Sequence, residues 1–415
     1  MRRLIALLLP CCIAGPVLAS PPAVIGSLYV EHQSNIVAST LDPQSGGLAR
    51  ARIEVNTGDV AENLAWSLNG KFSYQSYQRQ MFSDQFLADA IGNLRWFVVP
   101  GAVEWHFDYV ETIEAVDPGR VGEPDNEQSV RVIGTGPVVR HRIRESNELV
   151  VSLRRQRVET DFQGYYRNIG SASLWRDIRP RHRAFVEANA TRVEYGDSQP
   201  DYEIRQTSLG YLYEWQRLSA RVEGGRSWLR QDILGEQETG TGAALLRWNM
   251  PGGRQLIGRS AVNYGDEASS LEGVPDELLV GGVDSVGAFR EESHTLIYTG
   301  SERVADPSLN GWFRERRYQR PVFADRDTRD TGAAITTRLY NVDSGFVLLR
   351  VSAGHRQFLL IERLDRDYTA TLSGTRHINS RSELIVGTTF FERDSTVGLS
   401  SFTNVSLFLE YRGRL

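Results

Sequence analysis

The chain has almost no cysteine and no long apolar run. Its two cysteines, Cys11 and Cys12, both lie near the N-terminus of a 415-residue sequence. A disulfide scaffold and a thiolate metal centre are therefore excluded for the rest of the chain. Past the N-terminal region, no apolar run approaches the roughly 18 residues that a membrane-spanning helix needs. A bundle of transmembrane helices is excluded as well.

Lysine is also nearly absent, because Lys71 is the only one and every other basic residue is arginine. The formal net charge of −5 argues against a nucleic-acid partner. Aromatic residues, in contrast, are plentiful: 8 Trp, 16 Tyr and 16 Phe. That content excludes a disordered chain.

The N-terminus has the three parts of a secretory signal peptide. Arg2 and Arg3 form a positive region, residues 4–14 are mostly apolar, and Val17-Leu18-Ala19 is a small-residue cleavage site. We expect residues 1–19 to be removed, leaving a cysteine-free exported chain of residues 20–415. No linker or change of composition divides that chain, so it is predicted to be one domain.

Apolar and polar residues alternate with a period of two along the chain, which is typical of strands. In residues 63–75, one face carries Leu64, Trp66, Leu68, Gly70, Phe72 and Tyr74, and the other face carries polar residues such as Lys71. The pattern recurs at 103–109, 209–215, 218–224, 368–375 and 405–415, with Phe408 as an exception in the last segment. The longest of these segments exceed the usual strand of a globular protein.

Short turns alternate with longer polar stretches between the segments. Turn residues occur at 100–101, 179–180, 251–253 and 343–345, and longer polar stretches at 113–127, 161–170, 265–285 and 323–331. This arrangement is typical of an outer-membrane barrel. At about 20–24 residues per strand and connection, residues 20–415 predict an all-β fold, a transmembrane antiparallel β-barrel of about 16–20 strands. A propeller or a β-helix would show sequence repeats, and none is found.

A β-sandwich array is the remaining soluble alternative. Its strands are usually shorter, and its polar face would not be as crowded with Arg and Glu as the one found here. Trp and Tyr near the ends of the apolar segments favour a lipid-facing surface with aromatic girdles around a polar lumen.

One stretch also resembles a known group of proteins. It reads Leu94-Arg-Trp-Phe-Val-Val-Pro-Gly-Ala-Val-Glu-Trp105, then Phe107-Asp108, Pro124-Asp-Asn126 and Thr135-Gly-Pro137. This order resembles outer-membrane β-barrel proteins encoded with exopolysaccharide and exosortase (PEP-CTERM) systems. The resemblance covers about a tenth of the chain and implies a surface-polysaccharide context, with no catalytic residues to carry over.

The sequence shows no pattern typical of an enzyme's active site. No two of the seven histidines lie within four residues of each other, and Gly-x-Ser-x-Gly and P-loop motifs are absent. We therefore predict no catalytic residue, cofactor or metal. The residues expected to line the lumen are Lys71, Glu104, His106, Asp108, Arg221 and Glu223. The final strand, with Leu407, Leu409, Tyr411 and Leu415 on one face, is expected to serve assembly.

Three charged stretches have weaker alternative interpretations. Asp325, Asp327 and Asp330 resemble a calcium loop, but its bidentate glutamate is missing. Six acids within residues 266–284 could bind divalent ions near lipopolysaccharide. Arg314, Arg316, Arg317 and Arg320 could pair with lipid phosphates. Ordinary solvated loops and strand ends are the favoured interpretation of all three.

Three functions remain open for such a barrel. The main hypothesis is a channel or accessory protein for passage of a polar solute, or for export or assembly of an exopolysaccharide. The second is a hydrolase acting on lipid or lipopolysaccharide, which requires a Ser or Asp within hydrogen-bond reach of a His at one rim. The third is an occluded structural or partner-binding barrel.

The barrel is expected to lie in the outer membrane of a Gram-negative bacterium. Its expected partners are outer-membrane lipid or lipopolysaccharide, the outer-membrane assembly machinery and a polysaccharide or its export partners.

Overall fold

A computed structural model describes residues 23–78, 82–115, 126–161, 163–196, 200–231, 235–265, 288–301, 305–319 and 321–415. The predicted signal peptide and the acidic stretch 266–284 lie outside these ranges. No helix within them is long and apolar enough to cross a membrane.

The described chain folds into a single sheet of 20 antiparallel strands. The strands are β1 (Ala23–Gln33), β2 (Gly46–Val60), β3 (Leu64–Tyr77), β4 (Gln85–Val99), β5 (Val103–Ala115), β6 (Glu127–Arg144), β7 (Asn147–Thr160), β8 (Gly164–Arg179), β9 (His182–Glu194), β10 (Tyr202–Trp215), β11 (Leu218–Gln231), β12 (Gly235–Asn249), β13 (Gln255–Gly265), β14 (Phe289–Thr299), β15 (Ser308–Tyr318), β16 (Thr328–Val342), β17 (Gly345–Phe358), β18 (Arg363–Asn379), β19 (Ser382–Ser395) and β20 (Phe402–Arg414). Short 3₁₀ helices lie at Pro251–Gly253, Pro321–Arg326 and Gly398–Ser400.

The sheet closes on itself, because β1 pairs with both β2 and β20. The closing register runs from Ile25 opposite Arg414 to Gln33 opposite Ser406. Closure removes the sheet edges and pairs backbone groups that would otherwise meet lipid. The predicted transmembrane antiparallel barrel is confirmed, with a strand number at the upper end of the predicted range.

The two ends of the barrel differ in the length of their connections. At one end, here the turn end, strands are joined by short connections such as 145–146, 180–181 and 216–217. At the other, the loop end, the connections include 34–45 and 319–327. Three register irregularities fall beside two-residue turns of the turn end, within Arg142–Arg144, Asp177–Arg179 and His377–Asn379.

The outer face carries an apolar band with aromatic rows. Leu28, Leu209 and Leu407 are each 64% exposed, which places them on the side away from the packed interior. Exposed aromatic side chains lie near the turn end (Trp96, Trp105, Trp215, Trp248 and Tyr411) and nearer the loop end (Tyr74, Phe86, Tyr166 and Tyr368). Beyond the band at the loop end, the outer face changes to ion pairs such as Arg226–Glu238 and Arg366–Asp394. This succession is typical of a barrel that crosses a lipid bilayer.

The inner face is polar towards the turn end and tightly packed towards the loop end. A cluster of buried side chains, which we call the upper lumen cluster, projects inward from β6–β11: Val130, Val132, Val158, Tyr165, Val193, Tyr202, Ile204 and Leu229. A second cluster joins Ile36 of connection 34–45 to Leu48 and Tyr77. The protein core therefore lies inside the loop-end half of the barrel.

The assignment of side chains to the outer and inner faces can be tested with two neighbouring residues in the middle of β18. Leu372 is 44% exposed on the outer face, and Ser373 projects inward. We expect Leu372→Arg to cost about 2–4 kcal/mol of folding free energy, because it places a charge in the hydrocarbon core. Ser373→Arg should cost much less.

The measurement is equilibrium denaturant unfolding in lipid vesicles, read by tryptophan fluorescence and heat-modifiable gel mobility. Equal loss of stability in the two variants would contradict the assignment of faces.

Candidate functional site

All six residues predicted to line the lumen project from the inner face. Lys71 on β3 lies opposite Glu54 of β2 and Asp89 of β4. The others form two groups, one on β5 and one on β11. No sequence motif joins these groups, which are brought onto one wall by the strands between them.

The first group is a hydrogen-bonded charge cluster on β5–β7. His106 Nε2 lies 2.9 Å from Glu104 Oε2, and Arg140 Nε lies 3.5 Å from Glu104 Oε1. From β7, Arg154 approaches Asp108 Oδ2 at 3.1 Å and His106 Nδ1 at 3.4 Å. The two arginines, which were not predicted, balance the carboxylates and hold the imidazole in place. The cluster forms a polar wall of mixed charge.

The second group centres on Arg221 of β11. Its Nη2 lies 2.6 Å from Glu223 Oε2 and 3.5 Å from Glu187 Oε2 of β9. Its guanidinium also covers the ring of Phe185, 4.6 Å from the centroid. The Phe185 ring stacks on Trp175 of β8 at 4.5 Å. Cation–π contact and ion pairing together fix the position of the charged head.

The position of the Phe185 ring requires a glycine directly opposite it. Gly210 of β10 is its cross-strand partner, and a Cβ at Gly210 would overlap the Phe185 ring. The aromatic side chain therefore lies flat on bare backbone. This packing positions the ring beneath Arg221.

A third charged group, which the sequence did not assign to the lumen, lies at the loop end. Arg316 Nε contacts Glu291 Oε2 at 2.6 Å, and Arg356 Nε contacts Asp330 Oδ1 at 2.5 Å. Arg314 Nη2 lies 3.7 Å from Asp330 Oδ2. The lipid-phosphate alternative is therefore wrong for Arg314 and Arg316, because both project inward and pair there with carboxylates. Arg317 does lie on the outer face, bonded to Glu315 at 2.6 Å.

The calcium-loop alternative finds no support in the geometry. Asp330 is bound by arginines inside the barrel, whereas Asp327 accepts the backbone N–H of Tyr318 in the connection before β16. Burial raises the pKa of Asp327 above its usual value. Within the described ranges, no group of three or more His, Cys, Asp or Glu residues is arranged to hold a metal ion.

The C-terminal strand presents its predicted apolar face outward. Leu407, Leu409, Tyr411 and Leu415 are all exposed on the outer face. Phe408, the exception in the alternating pattern, projects inward and stacks on Tyr29 of β1 with 5.7 Å between ring centroids. The exception thus contributes to the seam where the barrel closes.

Fold and lumen together define a transmembrane antiparallel β-barrel. Solved structures of similar fold include a mutant of the ferric enterobactin receptor PfeA from Pseudomonas aeruginosa, with TM-score 0.47, 10% identity and coverage of 95% of this chain and 80% of that one. OpdK of the same organism, solved with vanillate, gives TM-score 0.40, 11% identity and coverage of 94% and 98%. OccK5 (OpdH) gives TM-score 0.39, 7% identity and coverage of 95% and 98%. No family model matches the chain, and no curated protein matches its sequence.

The contact between Gly210 and Phe185 generates a stability prediction. Gly210→Ala should displace the Phe185 ring and cost about 1–3 kcal/mol, the usual cost of overpacking. Gly224→Ala is the matched control, because Gly224 lies on the outer face of the adjacent strand with no atom within 4 Å of an added Cβ. Denaturant midpoints compare the two, and an unchanged midpoint for Gly210→Ala would contradict the packing described.

Proposed function

We propose that the chain is an outer-membrane channel protein that passes small polar solutes. The observation that carries the proposal is an inner wall of paired opposite charges, partly open to water, inside a barrel whose outer face is apolar. Short turns typically face the periplasm and longer loops the exterior, so the turn end is assigned to the periplasm. Export by the signal peptide of residues 1–19 and assembly through the exposed face of β20 belong to the same proposal.

Selectivity would come from the two charge clusters in the turn-end half of the wall. Glu104, His106 and Asp108, paired with Arg140 and Arg154, form one charge cluster, and Arg221, held by Glu187 and Glu223, forms the other. Side-chain charges of both signs attract dipolar and zwitterionic solutes and set the preference for ions through their local field. Passage requires binding and diffusion only.

The packed loop end restricts the size of what passes. The upper lumen cluster includes Val130, Val193 and Leu229, each 0% exposed although they face the lumen. In this proposal the lumen is more open at the turn end and narrows towards the loops. This same observation favours an occluded, partner-binding barrel as the second candidate function.

A more specific form of the channel proposal is passage or assembly of an exported polysaccharide. It rests on the resemblance within residues 94–137. A sugar polymer is recognised by hydrogen-bonding side chains alongside aromatic faces. The half-buried Trp175, which stacks on the buried Phe185 next to Arg221, is an aromatic side chain of the lumen wall that supports this form of the proposal.

Single-channel recording in a planar bilayer separates the candidates. Discrete current steps in several salts are expected for a channel, and added oligosaccharides should interrupt the current if the polysaccharide form holds. Absence of steps in every salt, from protein that shows a folded, heat-modifiable band, would overturn the channel proposal in favour of the occluded barrel.

The ion preference of the channel should change when the charges around Arg221 are altered. Arg221→Met should shift the reversal potential towards cation preference, since it leaves Glu187 and Glu223 without their counter-charge, and Glu223→Gln should shift it towards anions. Arg205→Met is the control, because Arg205 makes the same kind of pair with Glu203 at 2.8 Å on the outer face. A shift from Arg205→Met as large as that from Arg221→Met would argue against selection in the lumen.

A further inference from the structure

A serine, a histidine and a glutamate form a hydrogen-bonded chain on the outer face of the barrel. Ser260 of β13 and His294 of β14 are direct cross-strand partners. Ser260 Oγ lies 2.8 Å from His294 Nδ1, and His294 Nε2 lies 3.2 Å from Glu292 Oε1. Glu292 is two residues from His294 and shares its face. None of these side chains takes part in the lumen.

The hydrogen bonds determine which nitrogen carries the proton. A carboxylate only accepts hydrogen bonds, so the contact with Glu292 requires the proton on Nε2. The Nδ1 lone pair is then free to accept the hydroxyl proton of Ser260. A nucleophile, a base and a group that orients the base therefore stand in the order that nucleophilic catalysis requires, with the roles of the two ring nitrogens exchanged relative to the serine-protease triad.

The height of Ser260, His294 and Glu292 along the barrel indicates the kind of substrate that could reach them. On the turn side lie exposed apolar side chains, Leu296 at 56% and Leu309 at 44%. On the loop side lie charged side chains of the outer face, Arg290 and Arg317, each paired with a carboxylate. The apolar band thus ends at the level of His294. In a bilayer this boundary is where acyl chains meet their head groups.

Access to the site is lateral, from the membrane. The His294 side chain is 45% exposed and the Glu292 side chain 35%. The ring of Phe313 on β15 lies 5.6 Å from the imidazole and supports it from one side. Acyl chains of a lipid lying along Leu296 and Leu309 would bring an ester carbonyl up to Ser260. The Arg290 guanidinium on the same face, 4.0 Å from Glu292 Oε2, has the charge to attract an anionic head group.

We propose that Ser260, His294 and Glu292 form an esterase site that hydrolyses acyl esters of membrane lipids. Ser260 Oγ forms a bond to the acyl carbonyl carbon while His294 Nδ1 takes the hydroxyl proton. The ester C–O bond breaks, and the departing alcohol oxygen receives that proton. Water then attacks the acyl-serine carbon, passes its proton through His294 to Ser260, and releases the fatty acid. Ser260 and His294 are catalytic residues, and Glu292 is a positioning residue.

Two acyl esters share this chemistry, those of glycerophospholipids and those of lipid A. The folded protein is incubated with each in mixed micelles with water as the second reactant, and released fatty acid is measured by mass spectrometry. In parallel, a fluorophosphonate probe is added and the labelled residue is located by peptide mapping. We expect release from at least one lipid and labelling at Ser260.

Variants identify the source of any activity. Ser260→Ala and His294→Asn should each lower the rate by about 100-fold or more. Glu292→Gln should lower kcat with little change in KM, because Glu292 orients the His294 imidazole and does not contact the substrate. The matched control is His355→Asn: His355 projects from the same outer face and bonds the Thr331 hydroxyl at 3.0 Å, with Thr331 and Arg366 as its cross-strand partners.

Each outcome decides the proposal. No release from either lipid, labelling elsewhere than Ser260, or an unchanged rate in Ser260→Ala would overturn it. Heat-modifiable mobility shows that each variant is folded. Because the site lies outside the lumen, Ser260→Ala should leave the current unchanged, so failure of the esterase and failure of the channel are separate results.

Discussion

Pairing of every backbone amide and carbonyl inside the sheet is the constraint on which the structure depends. In the hydrocarbon core of a bilayer no water is available, and each unpaired group costs several kcal/mol. The contact between β1 and β20 meets this demand at the one place where strands distant in sequence must meet. Side chains contribute there too, since Phe408 turns inward onto Tyr29. The closed ladder then leaves side chains free to serve lipid on one face and solvent on the other.

Because the sheet is closed, its ion pairs lie either on the outer face or inside the barrel, and the two sets differ in their exposure to water. Arginines at the loop end of the outer face pair with neighbouring carboxylates in exposed geometry, where such pairs add little stability. Inside the barrel, Arg356 and Asp330 are nearly excluded from water, so removing one partner would leave a buried charge. Buried pairs therefore hold the packed half of the lumen in one arrangement, whereas the charges of the other half are less buried.

Sequence alone predicted the fold because alternation is a local property. Residues 63–75 show both faces of β3 without reference to any other strand, and chain length limits the strand number. Register is different, since it depends on which residues of distant strands lie opposite each other. The cluster of arginines that includes Arg314 and Arg316 is typical of a strand end at a lipid surface. That these two side chains project inward follows only from the pairing of β15 with β14 and β16. Ser260 and His294 are separated by a long connection, so no spacing rule could have joined them. The lumen residues of β5 and β11 were predictable as a face, but their arginine and aromatic neighbours were not.

The single lysine offers a practical consequence. Lys71 lies on the inner face of β3, between strands that present Glu54 and Asp89 beside it. Apart from the α-amino group, it is the one primary amine in the whole sequence. Outside the α-amino group, amine-directed chemistry will therefore place a fluorophore, a spin label or a crosslinker at one defined height within the lumen. The native chain thus carries a built-in attachment point for spectroscopy, without any engineered cysteine.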